Sequence, residues 1–176
     1  MAQSKRKKRM FNVILPLIKK QTQLVGYEVE DLDGRSISYD LTRMLKGKGA
    51  LIRFYLTVKD GIGTATANQF ELMPYHTHRM VKKGTDYVED SFVTKCKDTQ
   101  VRIKPLLVTR RKVSREVKKA LREKAREELT SWAASKDSQE LFEEILRNKI
   151  QKELSLKLKK IYPLSLCDIR MFETVK

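Results

Sequence analysis

The sequence predicts an α+β fold, in which a small antiparallel β-sheet or barrel is followed by two or three C-terminal helices and a final strand. Two observations lead to this prediction. Up to residue 109, short segments rich in β-branched and aromatic residues alternate with turns that contain Gly or Asp, which is typical of small antiparallel sheets and barrels. From residue 113 onward, apolar residues recur at every fourth position, which is the spacing of one face of a helix.

The predicted strands are short and are separated by turn signals. An Asp-Gly turn at 33–34 follows the first of them, and the segment 50–58 has the β-branched and aromatic content of a central strand. The predicted strands cover residues 24–29, 36–41, 50–58, 64–72, 87–95 and 100–109.

Four helical segments are predicted. A short helix over 75–83 ends at Gly84, a plausible C-cap residue. A long helix over 114–133 begins at Ser114 and carries cations opposite its apolar stripe. Two short helices follow around 141–146 and 150–158, and Pro163 precedes a final strand-like segment, 164–172. The apolar stripe of the long helix comprises Val113, Val117, Leu121, Ala125 and Leu129.

Length and composition indicate one domain, or one domain with an appendage. The chain has 176 residues, of which 40% are hydrophobic, enough for a modest core. We expect a basic N-terminal arm over 1–20, a β-rich core over 21–110, and a helical region over 111–176 whose terminal strand packs on the core. Residues 1–9 are polar and basic, and we expect them to be disordered until they bind a partner.

The positive charge is concentrated in two blocks. The chain has 38 Lys and Arg against 22 acids, a net charge of +16. Residues 1–20 hold seven cations and no acid, and residues 79–126 hold sixteen cations and six acids, whereas the other two segments are nearly neutral. Such a field favours polyanions, which leaves nucleic acid, anionic membrane and acidic proteins as partner classes. Cationic runs of one sign repel each other, so a counter-charged partner explains them better than a solvated surface does.

Several classes of protein are disfavoured by what the sequence lacks. No apolar run approaches the roughly 20 residues of a membrane helix, and the apolar stretch 10–18 lacks a cleavage site for a signal peptidase. Cys96 and Cys167 have no CxxC partner, which suits a reducing cytosol. There is no P-loop, GxGxxG, HExxH or GxSxG motif, so we expect neither catalysis nor a cofactor.

His76 and His78 form an HxH pair that raises the possibility of a metal site. On a strand the two side chains would share a face, but no further ligand lies nearby in sequence. We therefore expect surface or RNA-contacting histidines rather than metal ligands.

RNA binding is the chemistry that the cationic segment favours. Residues 102–126 hold eleven cations and two acids, and they join the last strand of the predicted sheet to a rigid helix. Lys binds phosphate as a point charge and Arg as a bidentate fork. The sequence has neither the aromatic signature of an RRM nor the GxxG loop of a KH domain, so readout of shape and phosphates is expected.

Several segments, in order along nearly the whole chain, resemble the small-subunit ribosomal protein family S-one-e (older S-three-A-e) of archaea and eukaryotes. The opening Phe11–Pro16 is similar to the family's aromatic-x-Val-x-Ala-Pro start, and Thr77–Thr85 resembles its basic R-x-x-V-R-R-G-T-S element. Leu41 with the strand through Phe54, Lys97-Asp-Thr before Gln100–Ile103, the basic helix from Val113, and Lys160–Leu164 with Ile169-Arg170 also match. Thr99 stands where the family's turn usually has Gly.

The resemblance implies a structural component of the small ribosomal subunit, in the cytoplasm, without catalysis. It implies a place on the platform near the mRNA exit and the 3′ end of the rRNA. The partners would be rRNA, neighbouring small-subunit proteins and mRNA near the exit, with no membrane. The chain stops at Lys176 without the long tail of eukaryotic members, which suggests an archaeal-type protein.

The candidate rRNA-binding residues are cations of the two basic blocks. Those matched to the family's basic element and helix are Arg79, Lys82, Lys83, Arg110, Arg111, Lys112, Arg115, Lys118, Lys119 and Arg122. Those of the basic arm are Lys5, Arg6, Lys7, Lys8 and Arg9. Two alternatives remain at this point: a non-ribosomal translation regulator or RNA-processing factor, and an RNA-modifying enzyme, which would need a pocket of convergent polar groups.

Overall fold

The structure, a computed structural model, describes residues 7–59 and 62–175 and confirms the α+β class. Within those residues a mixed β-sheet is combined with four α-helices, and the chain ends in a strand. The chain divides into two units, one built from the described residues of Met1–Tyr39 and Arg53–Asn68, the other from those of Asp40–Ile52 and Gln69–Lys176. None of the described helices has the length and apolar content needed to cross a membrane.

The first unit is built on strands. These are β1 (Arg9–Leu15), β2 (Lys20–Gly26), β3 (Ser36–Asp40), β4 (Ala50–Lys59) and β5 (Ile62–Leu72), of which the last three continue into the second unit. β1 pairs antiparallel with β2, and a 3₁₀ turn over Pro16–Ile18 connects them. β1 also pairs parallel with β5 at Val13 and Gly63, so the sheet is mixed rather than wholly antiparallel.

The second unit combines strands with all four helices of the described chain. Its elements are α1 (Pro74–Met80), β6 (Tyr87–Glu89), β7 (Phe92–Lys95), β8 (Gln100–Thr109), α2 (Arg115–Ala134), α3 (Ser138–Leu146), α4 (Lys149–Leu158) and β9 (Leu164–Val175). β8 pairs antiparallel with β9 along its length and with β6 and β7 on its other edge. The register of β8 and β9 shifts at Pro105, which has no N–H to donate to the ladder.

The core of the second unit forms where the helices pack on the sheet. Leu121, Ala125 and Leu129 form the buried stripe of α2, as predicted from their spacing. The ring of Phe172 on β9 meets Phe142 of α3 edge-on, with centroids 4.8 Å apart, and Trp132 of α2 at 6.3 Å. These edge-to-face contacts fix the helices against β9.

Several local predictions differ from the structure; the strand expected over 24–29, for example, covers Lys20–Gly26. The segment 87–95 forms two strands, because Asp90 and Ser91 interrupt the ladder. Gly84 is not the C-cap of α1, which ends at Met80; instead it occupies a turn with a φ of +89°. The strand β1 lies within the segment expected to be a basic arm and was not predicted, because its apolar residues do not alternate cleanly with polar ones.

Candidate nucleic-acid interface

Two basic turns lie at the same end of the ladder between β6 and β8. In that antiparallel ladder Tyr87, at the start of β6, pairs with Val108, near the end of β8. The segment before β6 and the segment after β8 are therefore neighbours. The first carries Lys82 and Lys83 and the second carries 110–112, Arg-Arg-Lys; we call these two segments the paired basic turns.

Asp86 and Thr109 join the two turns. The N–H of Thr109 donates to the carbonyl of Asp86 at 2.8 Å, and the N–H of Asp86 donates to Oγ1 of Thr109 at 3.0 Å. Oδ2 of Asp86 accepts the N–H of Val113 at 3.0 Å. Because Thr109 is fully buried, this network anchors both ends of the 110–112 turn to the segment that carries the lysines.

The carboxylate of Asp86 also binds a cation of α2. Nζ of Lys118 lies 3.0 Å from Oδ2 of Asp86. The N–H of Val113 and then the ammonium of Lys118 hold the pKa of Asp86 below its ordinary value, because both stabilise the charged form. An acid at this position thus shapes the turn while it neutralises one cation.

The turn that carries Lys82 and Lys83 is closed by hydrogen bonds from Thr85. Oγ1 of Thr85 donates to the carbonyl of Lys82 at 2.7 Å, and the N–H of Thr85 reaches the same oxygen at 3.1 Å. Gly84 supplies the left-handed conformation between them. Lys82 and Lys83 are exposed, on the segment that Asp86 ties to the second basic turn.

The second basic turn runs into the N-terminus of α2. The side chain of Ser114 accepts the N–H of Val117 at 3.4 Å, which makes Ser114 the N-cap as predicted. Glu116 is the single acid in the first turn of α2. The free N–H groups and the dipole of a helix N-terminus favour an anion, and here the side chain of Arg115 adds positive charge at the same place.

The structure divides the predicted cations into free and paired ones. Of the predicted cations from residue 110 onward, all of which the structure describes, five are exposed and form no salt bridge to a described residue: Arg110, Arg111, Lys112, Arg115 and Arg122. Lys118 is bound to Asp86, and Lys119 approaches Glu123 at 3.8 Å, an exposed pair that contributes little.

Other cations of the block have structural partners. Arg126, on the same helix, binds both oxygens of Asp90 at 3.0 Å, and its guanidinium lies over the ring of Phe92 at 5.3 Å. Arg102 pairs with Glu173 across the β8–β9 ladder. The sequence places these charges in one run, but only tertiary structure shows which of them are already neutralised.

The remaining predicted residues lie elsewhere. In the first unit Lys7, Lys8 and Arg9 are exposed, and Nζ of Lys8 lies 5.8 Å from the ring centre of Tyr27. Lys5 and Arg6 lie outside the described residues. In the second unit Arg79 is exposed on α1, at the rim of a cavity.

The two histidines of the HxH pair point to different environments because they lie on a helix rather than a strand. His76 is 5% exposed, and His78 is exposed. Nη2 of Arg79 lies 3.3 Å from Nδ1 of His76; burial, and then the charge of Arg79, lower the pKa of His76. The expectation that His76 is a surface residue was wrong. Among the described residues no group of three or more His, Cys, Asp or Glu is placed to hold a metal.

Sequence reasoning missed a cleft beside α2. Arg122 lines a cleft of about 550 Å³ together with Lys104 and Arg170, and Glu89 binds Arg170 at 3.0 Å on its edge. The three cations are far apart in sequence, so no local pattern could have grouped them.

The fold and the paired basic turns define a strongly basic α+β protein with a cationic surface suited to polyanions. The sequence matches the model of the Ribosomal S3Ae family over residues 2–176, and the chain belongs to this family.

Similar proteins include several named small ribosomal subunit protein eS1, all from archaea. The one from Nanoarchaeum equitans is 28% identical over 95% of this chain and 88% of its own length. The one from Pyrobaculum neutrophilum is 29% identical over 78% of this chain and 63% of its own length. The one from Methanothermobacter thermautotrophicus is 32% identical over 53% of this chain and 49% of its own length. The chain thus spans less than two thirds of the last two relatives.

Proposed function

We propose that this chain is a structural component of the small ribosomal subunit and binds rRNA. Membership of the Ribosomal S3Ae family and similarity to proteins named small ribosomal subunit protein eS1 support the ribosomal role. The resemblance supports a place on the platform near the mRNA exit, in a ribosome of the cytoplasm, beside neighbouring small-subunit proteins and mRNA.

The observation that carries rRNA binding is the geometry of the paired basic turns. Asp86 and Thr109 hold two cationic segments together, and the cations of 110–112 form no salt bridge to a described residue. A folded protein gains nothing from such clustering of like charges, whereas a phosphate backbone laid across them releases its condensed counterions.

The contacts that we propose are those predicted from the sequence, ordered now by their environment. The free cations of the paired basic turns, with Arg115 and Arg122, make the main contacts. Lys118 contributes less, because Asp86 already binds it at 3.0 Å, whereas Lys119 has only an exposed contact of 3.8 Å with Glu123 and stays available. The arm residues Lys5 to Arg9 and the α1 residue Arg79 make separate contacts. No catalytic step is proposed for any of these residues.

Sedimentation tests the assignment. A tagged copy of the chain, expressed in an archaeal host, is followed through a sucrose gradient at low and at high salt. We expect it to migrate with small subunits and with 70S ribosomes, and to leave them only at high salt. A chain that stays at the top of the gradient, bound to short RNAs, would instead be the free regulator or processing factor.

A further inference from the structure

The exposed ring of Tyr87 lies at the end of the ladder that joins the paired basic turns, and phosphate contacts by those turns do not explain it. Tyr87 begins β6, directly after Asp86. Across the ladder it pairs with Val108, two residues before the second basic turn. Its exposure of 54% is the largest among the six tyrosines of the chain. Among the described residues, no group is hydrogen-bonded to its hydroxyl, and no cation or aromatic ring is stacked on it.

The backbone of β6 fixes this ring between the paired basic turns and the cleft beside α2. Tyr87, Val88 and Glu89 all pair with β8, and Val88 is buried. Because side chains alternate along a strand, Tyr87 and Glu89 share the exposed face of β6. Glu89 lines the cleft, so this face leads from the turns to the cleft. Ladder geometry puts the Cα atoms of Tyr87 and Arg110 within roughly 10 Å of each other.

The acids nearest to Tyr87 along the chain are already bound by cations. A lysine of α2 lies 3.0 Å from Asp86, and an arginine of β9 lies 3.0 Å from Glu89. An arginine of α2 lies 3.0 Å from Asp90. Each carboxylate of the described segment 86–90 therefore has a cation beside it. A phosphate backbone that passes the ring meets little repulsion from this segment.

Cations that form no salt bridge to a described residue lie at both ends of this exposed face. At one end are Lys82, Lys83 and the segment 110–112. At the other end are Lys104 and Arg122, which line the cleft. Cations on both sides of an exposed aromatic ring are the combination with which proteins bind unpaired nucleic acid, since phosphates contact the cations and a base stacks on the ring.

From this arrangement we infer that an unpaired nucleotide of the rRNA stacks its base on Tyr87. The phosphates on either side of that nucleotide contact the paired basic turns and the cations of the cleft. Stacking accepts any base but requires one that has left the duplex, so the surface selects a loop, a bulge or an end over a plain helix. An acidic peptide would satisfy the cations and leave the ring uncovered. This inference rests on the proposed function, since it names the kind of rRNA element that the paired basic turns recognise.

The first test measures the affinity of full-chain variants for deproteinised small-subunit rRNA over a series of salt concentrations. Tyr87→Val keeps a residue that favours strands but removes the ring. It binds about tenfold more weakly at every salt concentration, with an unchanged log–log slope, because a stack is lost and no charge is removed. Tyr87→Phe keeps the ring and binds within about twofold of the unaltered chain. Tyr75→Ala removes a tyrosine of similar exposure, 52%, from α1 and changes neither affinity nor slope.

The second test places a fluorophore at the stacking position. Trp132 is the single tryptophan of the chain and is 8% exposed, so any quenching that Tyr87→Trp shows and the unaltered chain lacks reports on position 87. The probes are hexaadenylate, an abasic ribose–phosphate hexamer of the same charge, and hexaglutamate. Hexaadenylate quenches the variant because an adenine stacks on the indole ring. The abasic hexamer and hexaglutamate, which carry no base, do not.

Several results would overturn the inference. If Tyr87→Val binds rRNA within about twofold of the unaltered chain, the ring makes no contact; if it lowers the slope by about one or more, the substitution has disturbed phosphate contacts instead. Equal quenching by hexaadenylate and the abasic hexamer would leave a plain phosphate site, and quenching by hexaglutamate would make the occupant an acidic protein segment. In each of these cases an unaltered chain that binds rRNA keeps the proposed function. If the unaltered chain binds no rRNA, both proposals fail.

Discussion

Neutralising the second basic turn tests whether cations without protein partners carry the RNA affinity. The variant Arg110→Gln, Arg111→Gln, Lys112→Gln removes three exposed charges that form no salt bridge to a described residue. If each of them neutralises one phosphate, the log–log slope of affinity against salt falls by about 0.7–0.9 per contact, and so by about 2–3 in total. When the salt concentration is lowered from 1 M to 0.1 M, the gain in affinity is therefore smaller for the variant than for the unaltered chain, by roughly a hundredfold or more.

A matched variant separates the turn from the net charge. Lys124→Gln, Arg147→Gln and Lys157→Gln also remove three charges, but these bind Glu127, Glu143 and Glu128 on the helical surface. For this variant we expect the log–log slope of affinity against salt to change by less than about one, because the acids beside these cations already compete with phosphate.

The assay is fluorescence anisotropy with labelled, deproteinised small-subunit rRNA over a series of salt concentrations. Circular dichroism confirms that both variants are folded. An unchanged slope for the turn variant would refute the assignment of phosphate contacts to 110–112. Equal losses for both variants would mean that RNA senses the overall charge and not the geometry of the turn.

Three further predictions concern the network and the core. Asp86→Ala makes the chain more positive yet weakens rRNA binding, because the N–H of Val113 loses its acceptor and the turn loosens; a tighter complex in the same anisotropy assay would contradict this. Burial raises the pKa of Glu144, but hydrogen bonds from Lys136, Trp132 and Lys149 outweigh it and lower that pKa to about 2. The ionised carboxylate therefore stabilises the folded chain fully above about pH 5, and this contribution is lost as the pH falls from 4.5 towards 2. Urea denaturation of Glu144→Gln should therefore show a loss of about 2 kcal/mol at pH 7 that shrinks in acid, and a loss independent of pH would contradict it. Phe142→Ala empties a fully buried site against β9 and costs about 3–5 kcal/mol in the same measurement, whereas a loss below about 1 kcal/mol would show that the site collapses.

The helical half of the fold was predictable because its signals are local. The stripe Leu121, Ala125 and Leu129 sets the buried face of α2, and Ser114 marks its start. The strand boundaries were harder to predict, since Asp90 and Ser91 are turn-prone, but whether two such residues interrupt a strand depends on how its two halves pair with β8. The parallel pairing of β1 with β5 joins residues about 50 positions apart, and no local pattern encodes such a contact.

The candidate interface was predictable in composition and not in arrangement. Charge counting points to residues 79–126, and the resemblance selects individual cations within them. Neither shows that Arg126 and Arg102 are held by Asp90 and Glu173, or that Asp86 organises the neighbouring turns. The role of an acid inside a cationic block depends on which backbone N–H it meets, and the fold decides that.

By itself the sequence determines that this chain is α+β, carries a +16 charge in two blocks, and has a helix whose cations lie opposite an apolar stripe. These properties follow from the spacing of apolar residues and from the distribution of charge along the chain, and residues close together in sequence determine both. Tertiary structure alone decides which cations remain free, that two basic turns meet at Asp86, and that the exposed face of β6 leads from Tyr87 to the cleft beside α2. Such features require groups far apart in sequence to come within a few ångströms, and only the packing of strands and helices brings them there.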